Sequence, residues 1–299
     1  MHLFAFGYGF SAQALARRLR PQGWRISASF RRAEDAGRLA ADGADPVRVD
    51  DEAGLGAALA SAQAVLVSAP PTAEGCPALQ RIAPALARAR AFPDWIGYLS
   101  TTGVYGDRRG GWAFETSRLA AQSVEGARRV RAERDWWEVG RGMGLTVASF
   151  RLPGIYGPGR SAFDRLREGR ARRIAAPGHL FSRIHVDDLA AGLEASIRRP
   201  RAGAAYNLCD DEPCPNSEVV AFAAALLGLP VPPEVPLEQA RLPSAALRFY
   251  AESKRVSNAL AKAELGWRPR YPSYREGLRA VLAAERSLVT SPRSRGEAG

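Results

Sequence analysis

The sequence predicts an α/β fold, a doubly wound parallel sheet with a smaller C-terminal substrate lobe. Three observations point to it. Short, nearly continuous apolar runs alternate with helical stretches through the first half of the chain, as expected of strands covered on both faces by helices. A glycine-rich turn separates the first apolar run from the first helical one. Between residues 213 and 243 prolines interrupt the chain repeatedly, which suits a lobe of short helices and loops.

Residues 2–6 read as a buried strand. Ala12, Leu15, Ala16 and Leu19 then mark one face of a helix that Pro21 stops. Residues 24–30 form a second strand, 47–49 a short third, and 64–68 a fourth closed by Pro70 and Pro71. A helix carrying Leu79, Ile82, Ala83 and Leu86 follows, with Pro84 placed to kink it. Residues 95–100 are a fifth strand, and 145–151 a sixth after a long arginine-rich helix. Val186, Leu189, Ala190, Leu193 and Ile197 make a helical stripe, with Asp187 and Asp188 in its first turn where the helix dipole favours them. Residues 206–208 read as one more strand, and Ser273 with Glu276 as a capping box for a last helix.

Composition narrows the function. Apolar residues are 46 % and charged residues 24 % of 299, which excludes wholesale disorder. No run approaches the roughly 18 apolar residues of a membrane span. The first ten residues lack a basic segment and a small-residue cleavage site, so no secretory signal is expected. The net charge of +11 is almost all arginine, Lys254 and Lys262 being the only lysines. Those arginines are spread along the chain, so no nucleic-acid partner is expected, while the positive potential favours an anionic small molecule. Cys76, Cys209 and Cys214 have no metal-type spacing and suit reduced thiols in the cytoplasm. No zinc cluster, phosphate-binding loop of the GxxxxGK type or GxSxG elbow is present.

Gly7-Tyr8-Gly9-Phe10-Ser11-Ala12 is GxGxxA between a strand and a helix. Gly7 permits the tight turn, Gly9 lets backbone approach a pyrophosphate, and Ala12 lets the helix lie close to the strand. The helix amino terminus offers Phe10 and Ser11 N–H groups and partial positive charge to the phosphates. About 20 residues on, an acid would bind a ribose 2′-hydroxyl. Ser29-Phe30-Arg31-Arg32 stands there instead, and guanidinium groups suit a 2′-phosphate. The expected cofactor is therefore NADP, with NAD as the alternative. Asp50, after the third strand, reads either as an adenine contact or as a loop acid.

Residues 98–106 (YLSTTGVYG), 151–159 (RLPGIYGPG), 183–189 (RIHVDDL), 253–256 (SKRV) and 265–272 (LGWRPRYP) join the glycine turn in order and spacing. Together they resemble the extended short-chain dehydrogenase/reductases, and within them the NAD-dependent epimerase/dehydratase family. The resemblance implies a Rossmann domain over 1–153 with 184–208 returning to it. It implies a substrate lobe over 154–183 and 209–288 and a flexible tail over 289–299. It also implies a Ser or Thr after the fifth strand and a YxxxK pair on the next helix. Thr101 matches the first of these, but Glu125 and Arg129 occupy the tyrosine and lysine positions, and no tyrosine lies between Tyr105 and Tyr156. An arginine keeps its proton and cannot tune a base as lysine does, so the chain resembles the atypical members that lack the pair.

Ala69 and Pro70 after the fourth strand, Arg129, and Pro153 after the sixth are expected cofactor contacts beside Gly7, Gly9, Phe10, Ser11, Ala12, Arg31 and Arg32. Thr101 is expected to bind a substrate oxygen, with Ser100 and Thr102 as alternates. Tyr105 reads either as a substitute proton donor or as a residue packed in its turn. His185 reads as an acid/base or as a satisfied histidine at a helix start, and Glu115 and Glu125 as bases or surface acids. Arg160 and Arg183 read as clamps for an anionic substrate or as surface residues. The expectation is an NADP-binding oxidoreductase or epimerase-like enzyme acting on a hydroxyl or carbonyl carbon, nucleotide sugars being the family's usual substrates. The missing pair supports the alternative, a non-catalytic dinucleotide-binding sensor or interaction protein. A homodimer through helices flanking the sheet follows from the resemblance alone.

Overall fold

The computed structural model describes residues 1–242, 247 and 249–290. Strand β1 (His2–Phe6) buries all five side chains. Leu3 and Ala5 join the apolar core on one face of the sheet, Phe4 and Phe6 the core on the other, which explains an uninterrupted apolar run. Six further strands complete the sheet: β2 (Arg25–Phe30), β3 (Asp45–Arg48), β4 (Ala64–Val67), β5 (Trp95–Thr101), β6 (Val147–Leu152) and β7 (Ala204–Asn207). All pairings are parallel, in the spatial order β7-β6-β5-β4-β1-β2-β3. The chain reverses its direction of travel between β1 and β4, the place where a doubly wound sheet opens a crevice at its carboxyl edge.

Helices α1 (Phe10–Leu19), α2 (Ala33–Ala41), α3 (Glu52–Ser61), α4 (Pro77–Ala89) and α5 (Val124–Met143) alternate with the strands. Leu15 and Leu19 of α1 pack with Leu189 and Leu193 of a later helix against one face. Leu59, Ile82, Leu86 and Trp136, from α3, α4 and α5, cover the other. Helix α4 runs on through Pro84.

Strand limits shift slightly from expectation. Trp24 is spent on the turn at Gly23 (φ 78°), its N–H reaching back to the Leu19 carbonyl. Leu145 likewise still caps α5, donating to the Gly140 carbonyl, so β6 begins two residues later. The third strand starts at Asp45, because its pairing with β2 carries polar residues that periodicity could not mark.

Further helices are α6 (Ala162–Arg167), α7 (Val186–Arg198), α8 (Asn216–Leu227), α9 (Ala259–Leu265) and α10 (Tyr274–Thr290). Phe163, Ala223, Tyr274 and Leu278 build a third apolar cluster from α6, α8 and α10. Residues 289 and 290 of the expected tail thus belong to α10, and the rest of it lies outside the described residues. Among the described residues no helix is long and apolar enough to cross a membrane.

Asp188 fastens the returning helix to the C-terminal segment. Its two carboxylate oxygens accept the backbone N–H groups of Arg270 (2.7 Å) and Tyr271 (2.9 Å), and its carbonyl accepts the Trp267 indole N–H (3.1 Å). Asp188→Ala leaves two backbone donors without an acceptor, so urea unfolding should show a loss of about 2–4 kcal/mol. An unchanged midpoint would mean that this clasp contributes nothing.

Candidate functional site

A cavity of about 330 Å³ opens at the carboxyl edge of the sheet. Its walls come from the ends of four adjacent strands. After β1 come Gly9, Phe10 and Ser11; after β4, Ser68; from β5, Ser100 and Thr101; after β6, Pro153. Arg129 of α5 and Arg160 close the perimeter.

The turn after β1 is shaped by contacts that leave no room for a side chain behind it. Gly7 has φ +89°, and a Cβ there would fall 2.9 Å from Ser68 Oγ and 3.1 Å from the Ala69 nitrogen. The Gly7 N–H donates to Ser29 Oγ (2.9 Å), and Ser68 Oγ donates to the Gly7 carbonyl (2.9 Å), tying β1 to both neighbours. Ala12 is fully buried beneath the turn. Gly9 differs, since a Cβ there would meet nothing within 4 Å. Helix α1 starts at this open point with no side-chain cap and no acid in its first turn, whereas Asp51 caps α3 and Ser123 caps α5. Its first N–H groups and positive dipole end are therefore left to the cavity.

Thr101 Oγ1 accepts the Gly103 N–H (3.1 Å) and fixes a short 3-10 turn. Arg129, four residues beyond the exposed Glu125 on α5, donates to the Leu99 carbonyl and lies 3.4 Å from the Tyr98 hydroxyl. Its charge thus rests against β5 with one edge on the cavity. Behind Ser100 lies a buried polar chain. Ser100 Oγ donates to Glu133, which is fully buried and receives Arg151 through Nε (3.2 Å) and Nη2 (2.8 Å). Glu133 and Ser68 escaped sequence reasoning. Only the tertiary pairing of Glu133 with Arg151 of β6 reveals the carboxylate's role.

Tyr105 requires a correction. It is fully buried and does not line the cavity. Its hydroxyl donates to Asn207 Oδ1 (2.7 Å) and accepts from Arg151 Nη1 (3.0 Å), and burial pushes its pKa up to about 12. This phenol is packed in its turn. His185 is likewise buried, its Nδ1 accepting the Asp187 N–H (3.2 Å) at the start of α7, with burial lowering its pKa. Arg183 is buried too, directed at the Phe181 carbonyl (3.3 Å) and Cys214 Sγ (2.7 Å). Glu115 accepts the Asn207 N–H (2.8 Å), and burial raises its pKa.

Arg31 and Arg32 are exposed at the end of β2, outside the cavity wall. Arg32 is paired with Glu34 and Asp35, each at 3.3 Å, whereas among the described residues no ion pair involves Arg31. Asp50 holds Arg48 (2.6 Å). Ala69 and Pro70 follow the lining residue Ser68 without entering the wall themselves.

A doubly wound parallel sheet with a bare turn, an uncapped helix and a cavity at its carboxyl edge defines a Rossmann-type α/β protein. No protein-family model matches the chain. A functionally unknown conserved protein from Silicibacter pomeroyi DSS is 46 % identical, with a TM-score of 0.88 over 95 % of this chain and 98 % of that one. The chain belongs to one family with that protein. The dTDP-glucose 4,6-dehydratase of Bacillus anthracis str. Ames, solved in complex with NAD, shares the fold at 16 % identity, with a TM-score of 0.77 over 96 % of this chain and 97 % of that one. The UDP-glucose 4-epimerase of Thermus thermophilus, also solved with NAD, shares it at 19 %, with a TM-score of 0.74 over 96 % and 99 %. A 3-diazoavenalumate denitrifying reductase from Streptomyces sp is 29 % identical over 160 residues, 51 % of this chain and about half (52 %) of that protein's length.

The hydroxyl of Tyr105 bridges two strands and not a ligand. Tyr105→Phe should lower stability by about 1–3 kcal/mol, the cost of leaving Asn207 and Arg151 short of a partner. An unchanged urea midpoint in this variant would mean that the Tyr105 hydroxyl contributes nothing to the fold.

Proposed function

We propose that the chain is a nicotinamide-dinucleotide-dependent oxidoreductase or epimerase-like enzyme acting on a hydroxyl or carbonyl carbon of an anionic small molecule. The observation that carries this reading is the conjunction at Gly9. A position with open space for a side chain carries none, directly before an uncapped helix end that faces a cavity. Nothing in the protein's own packing requires glycine there, whereas a dinucleotide diphosphate does. The NAD complexes of the dehydratase and the epimerase that share the fold support the same cofactor class. When bound, the nicotinamide supplies hydride transfer.

The chain's own residues would divide the remaining work. Phe10 and Ser11 N–H groups bind the diphosphate. Arg129, fixed on the Leu99 carbonyl, supports the ribose or an anionic substrate with its remaining donors. Ser100 is committed to Glu133, but the Thr101 proton has no acceptor among the described residues, so Thr101 hydrogen-bonds the substrate oxygen. Arg31, which has no carboxylate partner among the described residues, selects NADP through the 2′-phosphate. Nucleotide sugars fit this reading as substrates because their diphosphate meets a cationic wall.

A second reading has a specific observation in its favour. The cavity wall contains no tyrosine, histidine, lysine or carboxylate, so no lining side chain exchanges protons near neutral pH. A dinucleotide-binding sensor needs none. Substrate-dependent oxidation of NADPH, lost in Thr101→Ala, would exclude the sensor.

Titration of the full chain with NADPH and NADH, followed by calorimetry, tests the cofactor. Gly9→Val should cost only about 1 kcal/mol of stability, the loss of a glycine N-cap, yet bind NADPH at least about tenfold more weakly, since a β-branched side chain fills the diphosphate's space. Arg31→Ala should erase a preference for NADPH over NADH of roughly tenfold. Equal NADPH affinity in Gly9→Val and the parent would refute the proposed site.

A further inference from the structure

Of the two guanidinium groups in the cavity wall, Arg129 and Arg160, it is Arg160 whose side chain makes no hydrogen bond among the described residues. Among the described residues no ion pair involves it, and no carboxylate lines the cavity. Its place is fixed from two sides. Its backbone closes a tight turn with Gly157, the Arg160 N–H donating to the Gly157 carbonyl (3.0 Å) and the Gly157 N–H returning to the Arg160 carbonyl (3.1 Å). Its guanidinium carbon lies 5.6 Å from the centroid of the Phe10 ring, within cation–π range. Gly157 makes this approach feasible, because a Cβ there would come within 3.2 Å of the Phe10 ring and 2.7 Å of Val186 Cγ1. Phe10 in turn sits between Gly9 and Ser11 on the first turn of α1.

We infer that Arg160 is an anion clamp that closes over the dinucleotide diphosphate from beside the α1 amino terminus, where it lies against Phe10. The inference rests on the dinucleotide reading and deepens it. Backbone N–H groups from the turn after β1 would hold the diphosphate together with a forked guanidinium from the segment after β6. The Phe10 ring orients the fork without using its N–H donors, so they stay available for phosphate oxygens. Arg129 is placed differently, since its guanidinium already serves the Leu99 carbonyl. The clamp also joins the turn after β1 to a segment that leads directly into α6, so ligand binding would tie the third apolar cluster to the sheet.

Calorimetric titration of the full chain with NADPH and, separately, with ADP-ribose tests the clamp, since ADP-ribose keeps the diphosphate and lacks the nicotinamide. Arg160→Ala should weaken both ligands by the same factor of roughly tenfold, the worth of one charge-assisted hydrogen bond. Arg160→Lys should recover part of that loss and Arg160→Gln none. The melting temperature of each free variant should match the parent's, because the side chain is exposed. Unchanged affinity for both ligands in Arg160→Ala would overturn the clamp. A loss confined to NADPH would also overturn it, by moving the residue to the nicotinamide end. A parent chain that binds neither ligand would instead overturn the dinucleotide reading itself.

Discussion

The guanidinium of Arg151 is the fixed point on which the cavity floor depends. It projects from β6 into an interior where its side chain is almost wholly buried. Its donors are shared among Glu133 of α5, the Tyr105 hydroxyl and the Glu115 carbonyl (2.9 Å). A buried charge costs several kcal/mol in desolvation unless its partners are complete, and here they are. Each bond in this set restrains a different element beside the cavity. Glu133 holds Ser100 at the end of β5, Tyr105 holds Asn207 at the end of β7, and the Glu115 carbonyl holds the loop between them. Low local dielectric strengthens such a chain, which gives the carboxyl edge a rigid base.

That base explains the division between rigid and open parts. Behind the turn after β1, Gly7, Ser29 and Ser68 leave no space, and the strands meet through hydroxyl bridges. In front of it, Gly9 faces open volume and α1 keeps its first N–H groups uncapped. Helix α1 shares the lack of a side-chain cap with α2, α4 and α8, and a glycine N-cap forgoes only roughly a few tenths of a kcal/mol against a capping side chain.

Much of this was legible in the sequence. Continuous apolar runs identified the strands because both faces of a parallel sheet are buried, and GxGxxA located the open turn because its spacing reports backbone geometry. Thr101, Arg129 and Pro153 were legible through their motifs and do line the cavity. The rest depended on long-range pairing. Tyr105 sits in a motif that places it near the sheet edge, but the direction of its hydroxyl is decided by Arg151 and Asn207, 46 and 102 residues away. Arg183 and Arg160 look alike as isolated arginines after glycine-rich or polar turns. Burial against Cys214 removes the first from the site, and the Phe10 ring brings the second into it.

The most direct measurement is a crystal structure of the full chain grown with NADP. Diphosphate oxygens are expected within about 3.2 Å of the backbone nitrogens of Phe10 and Ser11, with the nicotinamide ring toward Thr101. A dinucleotide whose diphosphate lies away from that turn, or whose ring points out of the sheet's carboxyl edge, would contradict this placement.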